Sequence, residues 1–541
     1  MTNKEIAGLF HELASLMELY EENPFKIRTY ENAYLALRKL DESLLSQTRE
    51  EWSKIKGIGE TILDKLEEIK STGLFKALAE YRDRTPEGIR FMLQIKGLGP
   101  KKVKTIWNDL QIESVGELLY ACYENRLIEL KGFGLKLQAD VIQSIEYFNS
   151  QKGLFLFSQL EQEAGLILEL LKQLNPGTKI EITGALRRAA ITLEEISIIC
   201  DHNLITIPNE FVETKDGTFI WKERFPVKIY YTTTVDFNYQ QLFLTGGSST
   251  FQALIQSGFT EKFANSEIEL FALNHVNYIP PECRDLDSFN DFNFANLITD
   301  EDIRGVVHNH SNYSDGIYSI EEMVKSCISL GYQYFVISDH SKSAFYANGM
   351  QIERLYLQWK EIDNLNEKYK PFRIFKSIES DILSDGSLDY PDEILSQFDF
   401  VIASIHSNLK MDEAKAMHRL IQAIENPYTV ILGHPTGRLL LSRKGYPVDY
   451  KRLIDACVAN HVAMEINANP LRLDMDWTWI PYAMEKNLMI SINPDAHNLK
   501  GIQDIKYGVK AGRKGGLMKN NCLNAKQIAE FESWIHSKSK F

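Results

Sequence analysis

The chain is short of several things, and each shortage removes a class of answer. Its six cysteines, Cys122, Cys200, Cys283, Cys327, Cys457 and Cys522, stand far apart with no CxxC pair. That spacing argues against a disulfide framework or a structural zinc finger and fits a reducing cytosol. No apolar run approaches the ~18 residues of a membrane span. The opening MTNKEIAGLFHELASLMELYEENPF has no basic flank ahead of an unbroken apolar stretch, so it does not read as a secretory signal. The expected setting is therefore cytoplasmic, without a membrane partner. No GxSxG elbow is present to serve as a serine nucleophile. Low-complexity linkers are missing as well, which favours modules packed on one another. Positive charge is also scarce. The formal net charge is −14, whereas a nucleic-acid binder is usually expected to carry basic surface. The deficit is uneven: residues 1–150 hold roughly as many basic as acidic groups, so the acidic excess lies further on and local phosphate contacts stay open.

With 541 residues the chain exceeds one core, and about 150 residues per domain suggests three or four modules. Residues 1–150 carry apolar residues at three and four spacing throughout, with glycine-marked turns, and predict helices only. From 153 to about 289 the pattern mixes strands and helices (KIEITGAL, EISIIC, VKIYYTTTVDFNY, then SSTFQALIQSGF) and fits a small palm-like sheet. Beyond 300, short apolar runs alternate with amphipathic helices, which reads as a β/α barrel.

Seven of those runs each end near a histidine or an acid: GVVHNH, YFVISDHS, RIFKSIESDIL, FDFVIASIHS, YTVILGHPTG, VAMEINAN and MISINPDAHN. Together they supply His308, His310, His340, Glu379, His406, His434, Asp495 and His497, with Asp315 just downstream of the first pair. Six of the twelve histidines fall at these strand ends, a concentration that scattered surface or core histidines would not give. Imidazole mixed with carboxylate suits Zn, Mn or Fe, and this many donors suits more than one ion. His308 and His310 are two apart on a strand and so face one way. His11, His202, His275, His418, His461 and His536 stand alone and read as surface or satisfied core residues. Arg438 and Arg443 after the His434 run, and Arg472 after the sixth run, are candidates to hold non-reacting phosphates, the alternative being salt bridges to barrel acids.

One short pattern repeats. Ile55-Lys56-Gly57-Ile58-Gly59 precedes TILDKLEEI, and Ile95-Lys96-Gly97-Leu98-Gly99-Pro100-Lys101-Lys102 precedes VKTIWNDL. A weaker copy is Leu130-Lys131-Gly132-Phe133-Gly134. A glycine turn leading into a helix N-terminus aims backbone N–H groups at an anion, and such hairpins grip the sugar-phosphate backbone without reading bases. Gly57, Gly59, Gly97, Gly99, Lys101 and Lys102 are thus candidates for DNA contact. The plainer reading is that GxG only closes a helix–helix turn.

Taken together, these features resemble bacterial family X DNA polymerases that carry a C-terminal polymerase and histidinol phosphatase (PHP) domain. The likeness spans nearly the whole chain and rests on NPFKIRTY, the two hairpins, GALRRAA at 184–190, VDFNY at 235–239, LTGGSS, YIPPE at 278–282 and HNHSNYSDG. It implies a multidomain fold. The parts would be an N-terminal lyase-like helical domain with the first helix-hairpin-helix (1–85), a fingers-like helical domain with the second (86–150), an α+β polymerase palm and thumb (151–295), and a distorted (β/α)7 PHP metallophosphoesterase barrel (300–541). It also implies that His308 and His310 fill an opening HxH, Asp315 the acid of SDG, and His340 the DHS motif. Glu379 would be the strand-end glutamate, His406 the SIH and His434 the GHP histidine, with Asp495 and His497 closing as DxH. All nine would hold a three-metal cluster and ready water for phosphoester hydrolysis.

The palm departs from the family. Its members have a glycine-serine-x-arginine-arginine turn, an Asp-x-Asp strand and a third aspartate on a neighbouring strand, so that three carboxylates hold two Mg2+ ions. Here the turn is Gly184-Ala185-Leu186-Arg187-Arg188, the Asp-x-Asp positions fall on Glu195 and Ser197, and Asp236 is the counterpart of the third. A serine hydroxyl is a poor replacement for a bridging carboxylate, so Mg2+ binding is doubtful and nucleotidyl transfer is expected to be weak or absent. By spacing, the family's Schiff-base lysine falls on Lys65, which reads equally as a solvated lysine on an amphipathic helix. The expected function is a monomeric DNA-repair phosphoesterase, a 3′-to-5′ exonuclease or 3′-phosphatase that also cuts at abasic sites, acting on gapped, 3′-ended or abasic duplex. The competing readings are an active gap-filling polymerase, a phosphatase for a metabolite such as histidinol phosphate, and a non-catalytic DNA-binding scaffold.

Overall fold

A computed structural model describes residues 1–40, 43–150, 153–289 and 294–538. The expected module boundary at 150/151 and the last residue, 541, touch positions outside that set. The chain forms two compact units, Met1–Glu146 and Tyr147–Phe541.

The first unit is helical. Its opening helix α1 (Asn3–Leu19) starts at a capping box: the Thr2 hydroxyl accepts from the Glu5 N–H, and the Glu5 carboxylate accepts from the Thr2 N–H at 2.6 Å. Ile6, Phe10, Leu13 and Met17 recur on one face and are buried, as the three and four spacing requires. Later in the unit the three glycine hairpins prove geometrically alike. Gly57, Gly97 and Gly132 all lie in the left-handed region (φ 92°, 91° and 87°), where a Cβ would be strained. Each is followed by the same tight turn, with Ile58, Leu98 and Phe133 donating to the carbonyls of Ile55, Ile95 and Leu130. The helices that follow are α2 (Glu60–Thr72), α3 (Pro100–Asp109) and α4 (Leu135–Ser150).

The second unit begins with α5 (Phe157–Leu174) and a five-stranded sheet. Its strands are β1 (Ile180–Thr183), β2 (Ile196–Cys200), β3 (Phe211–Glu213), β4 (Phe219–Trp221) and β5 (Phe225–Tyr231), in the order β1-β2-β5-β4-β3. Only β2 and β5 run parallel. The sequence VKIYYTTTVDFNY is not one strand. β5 stops at Tyr231, and α6 (Phe237–Thr245) begins at the Asp236 cap.

Seven parallel strands then follow in chain order: β6 (Gly305–Val306), β7 (Tyr334–Ile337), β8 (Arg373–Asp381), β9 (Phe400–Ser404), β10 (Thr429–Leu432), β11 (Ala463–Asn467) and β12 (Ile490–Asn493). Apart from half-buried Arg373 and Lys376 on β8, every strand residue is buried, as expected of a parallel sheet covered by helices. A bridge between Asn309 and Ala496 joins the ends of the first and last strands and nearly closes the barrel. The expected distorted seven-stranded β/α barrel is what forms.

Palm and barrel share a core. Phe157 of α5 meets Tyr507 of α7 (Ile505–Lys514) edge to face at 6.3 Å. Lys514, only 2% exposed, donates to the Arg188 carbonyl at 3.0 Å and to the Asp285 carboxylate.

Candidate metal centre

All nine residues expected as ligands meet at the carboxyl ends of the barrel strands. Glu379, near the end of β8, is the hub. Its Oε1 lies 3.1 Å from His308 Nε2, 3.1 Å from His406 Nε2 and 3.0 Å from His434 Nε2. Its Oε2 lies 2.9 Å from His340 Nδ1 and 3.7 Å from His310 Nε2. Asp495 Oδ1 sits 3.0 Å from His310 Nε2 and 3.6 Å from His308 Nε2. Asp315 faces His340 and His497 at 3.5 and 3.4 Å. Eight of these residues are buried and His406 is half-buried. Donor atoms fall into three overlapping sets: His310, Asp315, His340 and His497; His308, His310 and Asp495; His340, Glu379 and His406.

The donor set fits cations. His308 Nε2, Asp315 Oδ2, His340 Nδ1 and Glu379 Oε2 are fully buried and close to one another, yet make no hydrogen bond of acceptable geometry. Buried polar atoms are normally paired. Lone pairs that crowd together without bonding point at shared space, as ligands of common ions do. Backbone strain agrees: His308 and Asp495 are held in the left-handed region at φ 63° and 53°, which costs about 1–3 kcal/mol each and persists where a site over-determines it. Gly316 is needed for a different reason. A Cβ there would lie 2.2 Å from the His310 carbonyl oxygen, so only glycine lets the Asp315 turn pack against that strand end.

Acids and imidazoles charge one another. Burial pushes the Asp315 carboxyl up, but His497 and His340 outweigh it and hold the group well below the usual range. Glu379 and Asp495 are likewise held low against burial, chiefly by His406 and His308 respectively. Burial lowers His308, but Glu465 and Glu379 raise it well above an ordinary histidine. His406 reaches about 9 because Glu379 and Asp381 outweigh its burial. His310 moves down, through burial and then the neighbouring His497 and His340.

Sequence reasoning missed the residues that hold the ligands. Glu465, on β11 and fully buried, takes His308 Nδ1 at 2.6 Å and accepts from the His434 backbone N–H at 3.0 Å. Asn467 and Asn493 donate to the same carboxylate at 3.1 and 2.7 Å. Asp381 takes His406 Nδ1 and accepts from Ser343 Oγ at 2.7 Å. These carboxylates fix the tautomer, so that Nε2 of each ring faces the cluster. Asp339 accepts from Ser311, Ser314 and Gln358 and braces the turn that carries Asp315. A signal for Glu465 was present: seven strand ends were counted, and the sixth, VAMEINAN, supplied none of the nine ligands.

Two of the arginine candidates make contacts within the barrel wall. Arg438 pairs with Asp476 and donates to the Arg472 and Leu473 carbonyls, and Arg443 donates to the Gly437 carbonyl. Arg472 is 5% exposed. In the palm, the Ser197 hydroxyl bonds Glu195 at 3.0 Å, so those two share a face as alternation required. The structure does not bring Asp236 to them. It lies beyond the end of β5 and accepts from Thr233 Oγ1 at 2.7 Å, while the residue paired with Ser197 across the sheet is Lys228. The β-branched run Thr232 to Val235 resembles strand, but the chain turns there. Arg187 is bonded to Glu267 and Thr245, and Arg188 to Asp285. In the first unit, the Lys65 ammonium packs 5.5 Å from the Phe75 ring. Lys101 is exposed, and Lys102 folds back to the Gly97 carbonyl at 3.3 Å. Of the lone histidines, His11 stacks on Tyr34 at 4.6 Å and His461 bonds Ser537 at 2.5 Å.

Comparison with known proteins agrees with this geometry. Three family models match: a helix-hairpin-helix domain over 1–75, a SAM-like helix-hairpin-helix tandem over 89–146, and a PHP domain over 307–469. The chain is 34% identical to the DNA polymerase/3′-5′ exonuclease PolX of Bacillus subtilis (strain 168), over 99% of both chains. It is 25% identical to a probable phosphatase of Thermoanaerobacter sp. (strain X514), over 43% of this chain and 94% of that protein. Over 30% of its length it is 30% identical to a probable phosphatase of Caldanaerobacter subterraneus, covering 60% of the latter. No helix among the described residues is long and apolar enough to cross a membrane.

Proposed function

Because this chain belongs to the PolX family and its barrel gathers nine converging ligand residues, we propose that it is a DNA-binding phosphoesterase that works at DNA 3′ ends, with nucleotidyl transfer lost from its palm. The observation that carries this is the hub arrangement around Glu379, with atoms of five imidazoles within 3.7 Å of one carboxylate. Divalent cations bound there supply a water of lowered pKa and neutralise charge on the phosphoryl oxygens. The three overlapping donor sets support a trinuclear Zn, Mn or Fe centre. The chain's own contribution is rigidity: ligands on strand ends, with Glu465 and Asp381 fixing the rings of His308 and His406.

Hydrolysis of the terminal nucleotide adds one water. Its oxygen bonds to phosphorus, the P–O bond to the penultimate 3′ oxygen breaks, and that oxygen takes a proton. Removal of a 3′-phosphate, and cutting at an abasic sugar, use the same chemistry on a different ester. The glycine hairpins of the first unit hold the sugar-phosphate backbone of a gapped, recessed or abasic duplex, through Gly57, Gly59, Gly97, Gly99 and Lys101. The protein acts as a cytoplasmic monomer.

Loss of polymerisation follows from the palm. Two Mg2+ ions need several carboxylates, but the sheet offers Glu195, Ser197 and, opposite Ser197, Lys228. Lys228, an exposed lysine on the strand paired with Ser197, adds positive charge where the reaction needs cations. One assay tests the reading: Mn2+ with 3′-recessed, gapped and abasic DNA and a panel of small phosphomonoesters, for the unsubstituted protein and for His308→Ala. The expected result is DNA cleavage abolished by the substitution, with no extension when nucleotides are added. Efficient primer extension, or hydrolysis confined to the small esters, would overturn it.

A further inference from the structure

The loop that leaves the candidate ligand His340 carries an exposed aromatic side chain, Phe345. It runs through residues 341–349 and returns at Met350, whose N–H donates to the His340 carbonyl at 2.9 Å. It is not slack. Gly349 and Ala347 both donate to the Ala344 carbonyl, at 3.0 Å each. The Ser343 N–H donates to Asp389 at 2.7 Å, and its hydroxyl donates to Asp381, the carboxylate that fixes the ligand His406. The loop is therefore tied to two ligands at once.

On this stiff frame Phe345 is 84% exposed. Its chain neighbour Tyr346 has its ring centroid 6.2 Å from that of His340 and 6.5 Å from that of His406. A second apolar residue, Ile317, is 48% exposed two positions after the ligand Asp315, and its N–H donates to the carbonyl of the ligand His497 at 3.0 Å. By contrast, Arg438 is turned into ion pairs and carbonyl contacts of the wall. Lys342 of the same loop lies over the Tyr390 ring at 5.6 Å, while Phe345 and Ile317 are the apolar side chains that stand exposed on the segments leaving the ligands. A flexible tip would hide an exposed phenylalanine, whereas a braced one keeps it available at the entropic cost of holding the loop. A planar apolar partner fits such a surface.

We propose that Phe345, backed by Tyr346, is a stacking platform for the nucleobase of the 3′-terminal residue, placing the adjacent phosphate at the metal centre. This rests on the barrel being a phosphoesterase for DNA ends and names how it selects a nucleotide over a bare phosphate ester. The DNA backbone is held elsewhere by sequence-independent hairpins. Stacking on an aromatic ring tolerates every base and leaves that indifference intact.

The test compares two oligonucleotides of one sequence with the full-length Mn2+-loaded protein. One ends in a normal nucleotide, the other in a tetrahydrofuran sugar without a base. The expected result is a KM about tenfold lower for the base-bearing end, since a stacked base is worth about 1–3 kcal/mol. Phe345→Ala should bring the two KM values together, and Phe345→Trp should restore the difference. Metal content, measured by mass spectrometry, should stay the same in both variants. Leu357→Ala, an exposed apolar position on the helix Ile352–Lys368, serves as the control whose KM ratio stays that of the parent. Equal KM values for the unsubstituted protein, or a fall in Phe345→Ala that affects both ends alike, would overturn the platform and leave the phosphoesterase reading standing. Hydrolysis of neither oligonucleotide would remove both.

Discussion

At the scale of single residues, the centre depends on side chains that need not touch an ion. Glu465 bonds one ligand ring, one ligand backbone and two asparagines, and Asn467 reaches on to Asp495 at 3.0 Å. Its charge makes His308 a stronger donor and holds the ring with Nε2 toward the cluster. Glu465→Gln keeps the shape and removes the charge. We expect metal affinity to fall about 10- to 100-fold, read as the chelator concentration that strips half the bound metal, while far-ultraviolet circular dichroism is unchanged. An affinity equal to that of the unsubstituted protein would mean that the strands alone orient His308.

At the scale of elements, legibility followed the kind of signal. The barrel was readable because its strands are near-continuous apolar runs with chemistry at their ends, so one pattern gave both the fold and the residues that converge at its mouth. The three hairpins were readable because a GxG turn needs a left-handed first glycine whatever surrounds it. The third copy, weak as sequence, has the same φ and turn bond as the others. Asp236 was misplaced because β-branched Thr232 to Val235 favour strand locally, while the decision to turn into a helix is made by packing that alternation does not encode. Glu465 and Asp381 were passed over since a carboxylate that holds a ligand looks, in sequence, like any strand-end acid. For the arginines, sequence left phosphate contact and salt bridge both open, and Arg438 takes the salt bridge, to Asp476. One element carries a cost invisible in sequence: Asp504, just ahead of α7, makes no capping hydrogen bond, and burial pushes its carboxyl up to about 7. The neutral acid is thus favoured in the fold. Stability from this group is full below pH ~4, is lost as pH rises from there through 7, and above 7 the fold holds a poorly solvated anion. The whole shift would be worth ~4 kcal/mol, but Asp504 is partly exposed, so ~1–2 kcal/mol is expected after solvent screening. Asp504→Asn should therefore melt a few degrees higher than the parent at pH 8 and no higher at pH 4.5. Equal gains at both values would place the effect in packing rather than charge.

At the scale of the whole molecule, the two compact units should respond differently to metal. None of the nine ligands lies in Met1–Glu146, and all lie in Tyr147–Phe541. Metal that binds only the native form of a unit adds RT ln(1 + [L]/Kd) to that unit's stability, about 4 kcal/mol at a thousandfold excess over Kd. Within the second unit, palm and barrel share a core, and Lys514 of the barrel is sealed against Arg188 and Asp285 of the palm side at 2% exposure. A group buried in that way is lost when either part opens, which couples their unfolding. Calorimetry with and without saturating Mn2+ should therefore show one transition that metal leaves in place and a second, larger one that it raises by several degrees. Palm and barrel would melt together in the second, because the palm helix and sheet contribute to the core that the barrel shares. Separate melting of palm and barrel, or an equal rise of both transitions with metal, would contradict this division.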